Sequence, residues 1–274
     1  MFWFVVLIVA VAYLLLLGVL WRHQERIVFQ PPPAGANTAT RYPGSEQVRQ
    51  VSYRADDGLE LFGYLVGDVT RAEVLLIAFH GNADLARFLV PWAQAATGVV
   101  SVAVLLPELR GYDGLGGRPT YQDAARDARA ARQFAATRLT VRDDRIAYFG
   151  HSLGSAIAAE LAAESTPIAL LLQSPFSSAR AMARRMALPG LSLFWPLVSR
   201  VHYDTEGRVR TLLAPVSVAH GLRDMIVPAR MGRSVYDAAE QKGALLLVPG
   251  AGHNDIAEHA PAAYWEWFRT ALGG

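Results

Sequence analysis

One stretch, Ile146-Ala147-Tyr148-Phe149-Gly150-His151-Ser152-Leu153-Gly154, constrains the folding of this 274-residue chain more than any other. An apolar, aromatic-rich run ends in Gly-x-Ser-x-Gly and passes at once into an alanine-rich helical pattern through Leu161. The order describes a strand, a tight turn and a helix, with the serine on the turn and its hydroxyl projecting from the end of a sheet. The flanking glycines have a steric reason, because the serine backbone is strained there and a β-carbon on either side would crowd the turn. Such a corner belongs to an α/β architecture with a nucleophile at its centre.

Two residues downstream complete a nucleophilic set. Pro215 to Ala219 reads as a short buried strand that delivers His220-Gly221-Leu222-Arg223-Asp224 onto the following loop, making Asp224 the candidate acid. Ala244 to Val248 reads as another strand, and Pro249-Gly250-Ala251-Gly252-His253-Asn254 follows, making His253 the candidate base. An aspartate at position 224 could instead cap the helix expected from Pro228, whereas a histidine in a glycine-rich loop after a buried strand is hard to explain by packing. His220, early in its loop beside Gly221, reads as structural. The order Ser, Asp, His differs from the orders of the two other common serine-protease architectures.

Negative charge develops on the carbonyl oxygen during acyl transfer, so two backbone N–H groups aimed at that oxygen are required. Leu153, directly after the nucleophile, supplies one candidate. The other is Asn82, with Ala83 the alternative, in His80-Gly81-Asn82-Ala83-Asp84 at the end of the apolar run Val74 to Phe79. A further turn, Glu108 to Gly114, follows the strand expected over Val99 to Leu105. Its glycines lack the spacing of a dinucleotide fingerprint.

The chain is 52% hydrophobic and only 18% charged, and much of that excess lies in Phe2 to Trp21. A helix of about 20 such residues spans roughly 30 Å, the thickness of the hydrocarbon layer. A cleaved signal peptide would need a basic residue ahead of the run and small residues at its end, and neither is present. A buried core helix would need an amphipathic pattern, which this run lacks. A single uncleaved span is therefore expected, anchoring a single-pass protein in the cell membrane with the lipid bilayer as partner. Arg22, His23 and Arg26 oppose Glu25 and the amino terminus, leaving the side of the catalytic domain open.

Beyond the anchor over 1–21, residues 22–45 have the composition of a linker, and the catalytic domain is expected over 46–274. Val48 to Tyr53 and Leu59 to Val66 read as an edge hairpin across Asp56-Asp57-Gly58. Strands then alternate with helices near Tyr121–Thr137, Pro228–Gln241 and Ala260–Leu272. Between Phe176 and Ala214 there is room for a short lid, in which Met182, Met186, Leu193, Phe194 and Trp195 either pack over the sheet or line an acyl pocket beside the bilayer.

The net charge of +2 carries little functional information, since Lys242 is the sole lysine among the cations. Arg126, Arg129 and Arg132 alternate with Asp123 and Asp127 as on a solvated face, and no aromatic-interleaved basic patch suggests nucleic acid.

Taken with Gln24 to Pro31, Arg110-Gly111-Tyr112 and Ile226-Val227-Pro228, these motifs resemble the Bem46-like group of membrane-anchored α/β-hydrolases, related to the α/β-hydrolase domain-containing proteins 12, 13 and 17. The resemblance implies a mostly parallel sheet flanked by helices and a serine hydrolase acting on the ester or thioester bond of an acylated or lipid-like small molecule. It implies no metal or organic cofactor. A serine aminopeptidase or oligopeptidase would use the same triad, and a membrane-anchored scaffold could retain the fold without activity.

Overall fold

A computed structural model of the chain describes residues 2–33, 47–186 and 199–273. Its strands, β1 (Val48–Arg54), β2 (Glu60–Val66), β3 (Val74–Phe79), β4 (Val102–Pro107), β5 (Ile146–His151), β6 (Leu170–Gln173), β7 (Val216–Gly221) and β8 (Lys242–Val248), form one sheet. The order is β1-β2-β4-β3-β5-β6-β7-β8, with β1, β2 and β4 paired antiparallel and all later pairs parallel. This is the α/β-hydrolase arrangement expected above. β3 is an unbroken apolar run, and β5 and β6 are apolar up to their last residues, His151 and Gln173, because helices cover both faces of the sheet.

Successive strand residues feed two separate cores, as a period of two requires. Leu75, Ile77 and Tyr148 pack with α3 (Tyr121–Thr137) and α4 (Leu153–Glu164), while Leu76, Ala78 and Phe149 pack with α2 (Val90–Val99) and the terminal helix Pro261–Ala271. α3 coincides with its expected span. Its start is fixed by Thr120, whose hydroxyl accepts from the Asp123 N–H at 3.1 Å, and its inner face is lined by Ala124, Ala128, Ala131 and Ala135. β4 lies later than expected because the apolar run from Val99 is shared between the end of α2 and the strand.

One charged residue of α3 departs from the solvated-face reading. Asp127 is only 1% exposed, and its carboxylate receives the buried Arg110 guanidinium at 2.6 and 2.9 Å. The α3 stripe that packs on the sheet therefore includes an ion pair, which sequence alternation alone could not assign to the inner face.

α1 (Phe2–Val28) is seven residues longer than the apolar run alone implied, and among its side chains Leu17 is buried while most others are exposed. Phe29 follows it into the core at 2% exposure, so the first part of the segment read as linker is docked. α5 (Ala179–Met186) opens the lid region. Residues 187–198 and the Met186 side chain lie outside the described residues, so the pocket-lining expectation for Met186, Leu193, Phe194 and Trp195 falls there. The expected domain start at Glu46 does too. After Ser199, the chain continues through α6 (Thr205–Val209), α7 (Ala229–Ala238), α8 (Ile256–His259) and α9 (Pro261–Ala271).

Candidate active site

Ser152 lies between β5 and α4 with φ +54° and ψ −113°, a conformation that costs a β-carbon residue energy and persists only where its surroundings hold it. The flanking glycines supply the room. A β-carbon on Gly150 would sit 2.2 Å from the Gly154 carbonyl oxygen, and one on Gly154 would sit 2.2 Å from that of Phe79. The start of α4 thus packs directly on the backbone at the end of β3. Ser152 is further held by its own N–H, which donates to the Gln173 carbonyl at 2.9 Å.

The loops after β7 and β8 bring the other two expected residues to this corner. The Ser152 hydroxyl lies 2.9 Å from Nε2 of His253, and Nδ1 of His253 lies 2.6 Å from Oδ2 of Asp224. With Nδ1–H donating to the carboxylate, Nε2 is free to accept the serine proton. Oδ1 of Asp224 accepts from the Ile226 and Val227 N–H groups at 2.9 and 2.8 Å. Burial alone would favour the neutral acid, but hydrogen bonds from His220 and His253 outweigh it and hold this carboxyl well below the usual carboxylate range.

Three residues that the sequence did not assign to the site support this chain. His220, read there as structural, is fully buried, and its Nε2 faces both Asp224 Oδ2 at 3.2 Å and the Val227 carbonyl at 2.9 Å. Two acceptors at one nitrogen require that nitrogen to carry the proton. Ser174 and His151 both face the His253 carbonyl, from Oγ at 3.0 Å and Nε2 at 3.3 Å. Burial and then the neighbouring His253 bring the His151 pKa down to about 4, so its ring is neutral near pH 7. The available signal was positional: His151 is the central residue between Gly150 and Ser152, and Ser174 directly follows β6.

Among the described residues, neither the Leu153 nor the Asn82 backbone N–H donates to a protein acceptor. Leu153 is the first residue of α4, where no intrahelical acceptor exists. Ala83, the alternative to Asn82, has its N–H 3.1 Å from Asn82 Oδ1, which leaves Asn82 as the free donor of the two. Behind the loop, His80 donates from Nδ1 to the Gly81 carbonyl at 2.8 Å and places Nε2 2.9 Å from Glu108 Oε1. Burial opposes charge on His80, but Glu108 overrides it and raises the pKa.

A cavity of about 630 Å³ opens over Ser152 and His253. Its apolar wall includes Phe88, Trp92, Phe149 and Tyr264, with the Trp92 and Phe149 rings 4.5 Å apart. The Trp92 indole N–H donates to the Tyr264 hydroxyl at 2.9 Å, and that hydroxyl donates to Gln173 Oε1 at 2.6 Å. Met182 does not join this wall. It packs half-buried into the layer containing Ile77 and Tyr148, whereas Phe149 and Tyr264 belong to the layer on the opposite side of the sheet. Among the described residues, no group of three or more His, Asp or Glu side chains is arranged to hold a metal ion.

Residues 74–240 match the alpha/beta hydrolase family, a span from the start of β3 through the serine corner and Asp224. The chain belongs to the α/β-hydrolase family. This α/β-hydrolase is 35% identical to an uncharacterized protein of Mycobacterium tuberculosis, over 90% of this chain and 88% of that one. It is 24% identical to the human alpha/beta hydrolase domain-containing protein 17B over 85% of each chain. Among solved structures, a Pyrococcus furiosus esterase superposes with a TM-score of 0.69 at 17% identity, over 89% of this α/β-hydrolase and 100% of the esterase. An acetyl xylan esterase from Paenibacillus sp. R4 gives a TM-score of 0.66 at 19% identity, over 92% and 93% of the two chains. At those identities the shared property is the fold.

Proposed function

We propose that this α/β-hydrolase is a membrane-anchored serine hydrolase of the Bem46-like group that cleaves carboxylic ester or thioester bonds in lipid-like or acylated substrates. The observation that carries the reading is the unbroken Asp224, His253, Ser152 hydrogen-bond chain beneath an aromatic-walled cavity. His253 takes the Ser152 proton as Oγ attacks the acyl carbonyl, and Asp224 orients the imidazole and stabilises its protonated form. Backbone N–H groups of Asn82 and Leu153 receive the developing oxyanion. Collapse of the tetrahedral intermediate breaks the bond to the leaving alcohol or thiol, which takes the proton from His253. Water then attacks the acyl-enzyme with His253 as base, releasing the acid and restoring Ser152.

Several observations support the finer parts of this reading. The fold is shared with solved esterases, and the similarity to protein 17B favours the Bem46-like group. α1 is long and apolar enough to cross a bilayer, which supports a single-pass location in the cell membrane. The Phe88, Trp92, Phe149 and Tyr264 wall suits an apolar acyl chain or alcohol. A second reading, a serine aminopeptidase, is favoured by one observation: Asp84 and Glu258 reach the same cavity and would suit a cationic amine.

Intact-protein mass spectrometry after fluorophosphonate treatment tests the nucleophile. One adduct is expected on the folded protein and none on Ser152→Ala; equal labelling of both, or no labelling of either, would sink the proposal. Turnover of a panel of short-chain esters, lysophospholipids, acyl thioesters and aminoacyl amides then separates esterase from aminopeptidase, and an absence of turnover across it points to a scaffold.

A further inference from the structure

The triad leaves the motif after the anchor without a role. α1 continues past Trp21 to Val28, and Phe29 is buried in the same apolar layer as Tyr112 and Leu153. On either side of Phe29 the backbone grips one side chain. Nδ2 of Asn82 donates to the Val28 carbonyl at 2.6 Å, and Oδ1 accepts from the Gln30 N–H at 2.8 Å. The same Oδ1 accepts from the Tyr112 hydroxyl at 2.9 Å and the Ala83 N–H at 3.1 Å. A carboxamide so engaged has no freedom to rotate.

Its position gives these bonds their meaning. Asn82 is the expected oxyanion donor, its backbone N–H is without a protein acceptor among the described residues, and Ala83 beside it has φ +54°, a conformation disfavoured by its β-carbon. By engaging the Ala83 N–H, the Asn82 side chain helps hold that conformation and leaves its own backbone donor for the substrate. The same helix is gripped again about one to two turns before its exit. Gln24 Oε1 accepts from the Arg200 N–H at 2.6 Å, Glu25 lies 3.2 Å from the Arg200 guanidinium, and that guanidinium sits 5.3 Å from the Trp21 ring centre.

We propose that Asn82 is a positioning residue through its side chain, and that Val28 to Gln30 form a structural part of the oxyanion site. This rests on reading Ser152 as an acyl-transfer nucleophile. The exit of α1 is then a component of the catalytic machinery, and the seating of the anchor sets the aim of one oxyanion donor.

The test uses the full chain in detergent micelles as wild type, Asn82→Ala, Gln30→Pro, Gln30→Ala and the double variant Asn82→Ala/Gln30→Pro. Two readouts are taken: p-nitrophenyl butyrate turnover, and hydrogen exchange of the amides at residues 81–85 with strands β3 and β5 as the internal measure of folding. Asn82→Ala and Gln30→Pro are each expected to lower kcat by roughly 10- to 100-fold, the effect of misplacing a catalytic group by about an ångström. KM should move less than about threefold. Gln30→Ala, which keeps the N–H, should lose less than Gln30→Pro. Because the two residues act through one contact, the double variant should fall within about threefold of the worse single. Exchange at 81–85 should quicken in both single variants while β3 and β5 stay protected.

Asn82→Ala with kcat within about twofold of wild type, or a double variant in which the two losses multiply, would overturn the proposal. So would unchanged exchange at 81–85 in Gln30→Pro. Should the wild type hydrolyse no ester, the acyl-transfer reading fails, and the exchange comparison still decides whether the anchor exit holds the loop.

Discussion

Asp224 gathers four hydrogen bonds, two from loop amides and two from histidines, and each favours its ionised form. Asp224→Asn keeps the shape but not the tautomer demanded of His253, so kcat should fall by about 10³- to 10⁴-fold, and the loss of the buried charge should lower the unfolding midpoint while unfolding stays cooperative. Stopped esterase assays and urea titration on the same preparation would check both. His151 makes a separate prediction about pH. Its folded pKa of about 4 lies below the ordinary 6.5, so between those values the unfolded chain binds a proton that the native state refuses. The stability tied to its neutral form is complete above pH 6.5 and is lost as pH falls towards 4. Urea midpoints measured across this window should slope upward with pH, and His151→Gln should flatten the slope; an unchanged slope would refute the assignment. At this scale the serine corner was legible because strand, glycine, serine, glycine and helix are contiguous. The Asn82 side-chain contacts were not, since its partners Val28 and Gln30 lie 54 and 52 residues away.

Elements in this fold meet backbone to backbone where the site is built, and glycines mark the crossings. Gly232 lies inside α7, where alanine would ordinarily stabilise a helix by about 1 kcal/mol. Here a β-carbon would stand 2.1 Å from Nδ1 of the buried His220, the ring that braces Asp224. Gly232→Ala should therefore destabilise the protein by roughly 1–3 kcal/mol, as overpacking does, and lower kcat as well. Thermal unfolding and steady-state turnover would reveal whether the two losses appear together. The α3 face carries a further test. Removing the Arg110 guanidinium strands the Asp127 carboxylate in the interior, so Arg110→Met should cost roughly 3–5 kcal/mol by urea unfolding. The span of α3 was legible in the sequence, whereas the inward turn of Asp127 was not. Alternating charge describes a solvated face equally well, and only the packing against β4 and the Arg110 turn distinguishes them.

Across the whole molecule, a mostly parallel sheet flanked by helices follows from apolar runs separated by helical patterns, which is why the architecture could be read from the chain. The cavity wall could not, since Trp92 and Tyr264 are 172 residues apart and meet only after the sheet has formed. α1 makes the whole-molecule prediction. Alkaline carbonate washing should leave the full chain in the membrane pellet, while detergent should release it; recovery in the carbonate supernatant would exclude a spanning anchor. Gln30 lines the cavity only two residues beyond the end of α1. A substrate dissolved among lipids would then meet Ser152 by lateral diffusion, and turnover should obey surface dilution: diluting the substrate with inert lipid at constant bulk amount would slow the enzyme, whereas adding buffer would not.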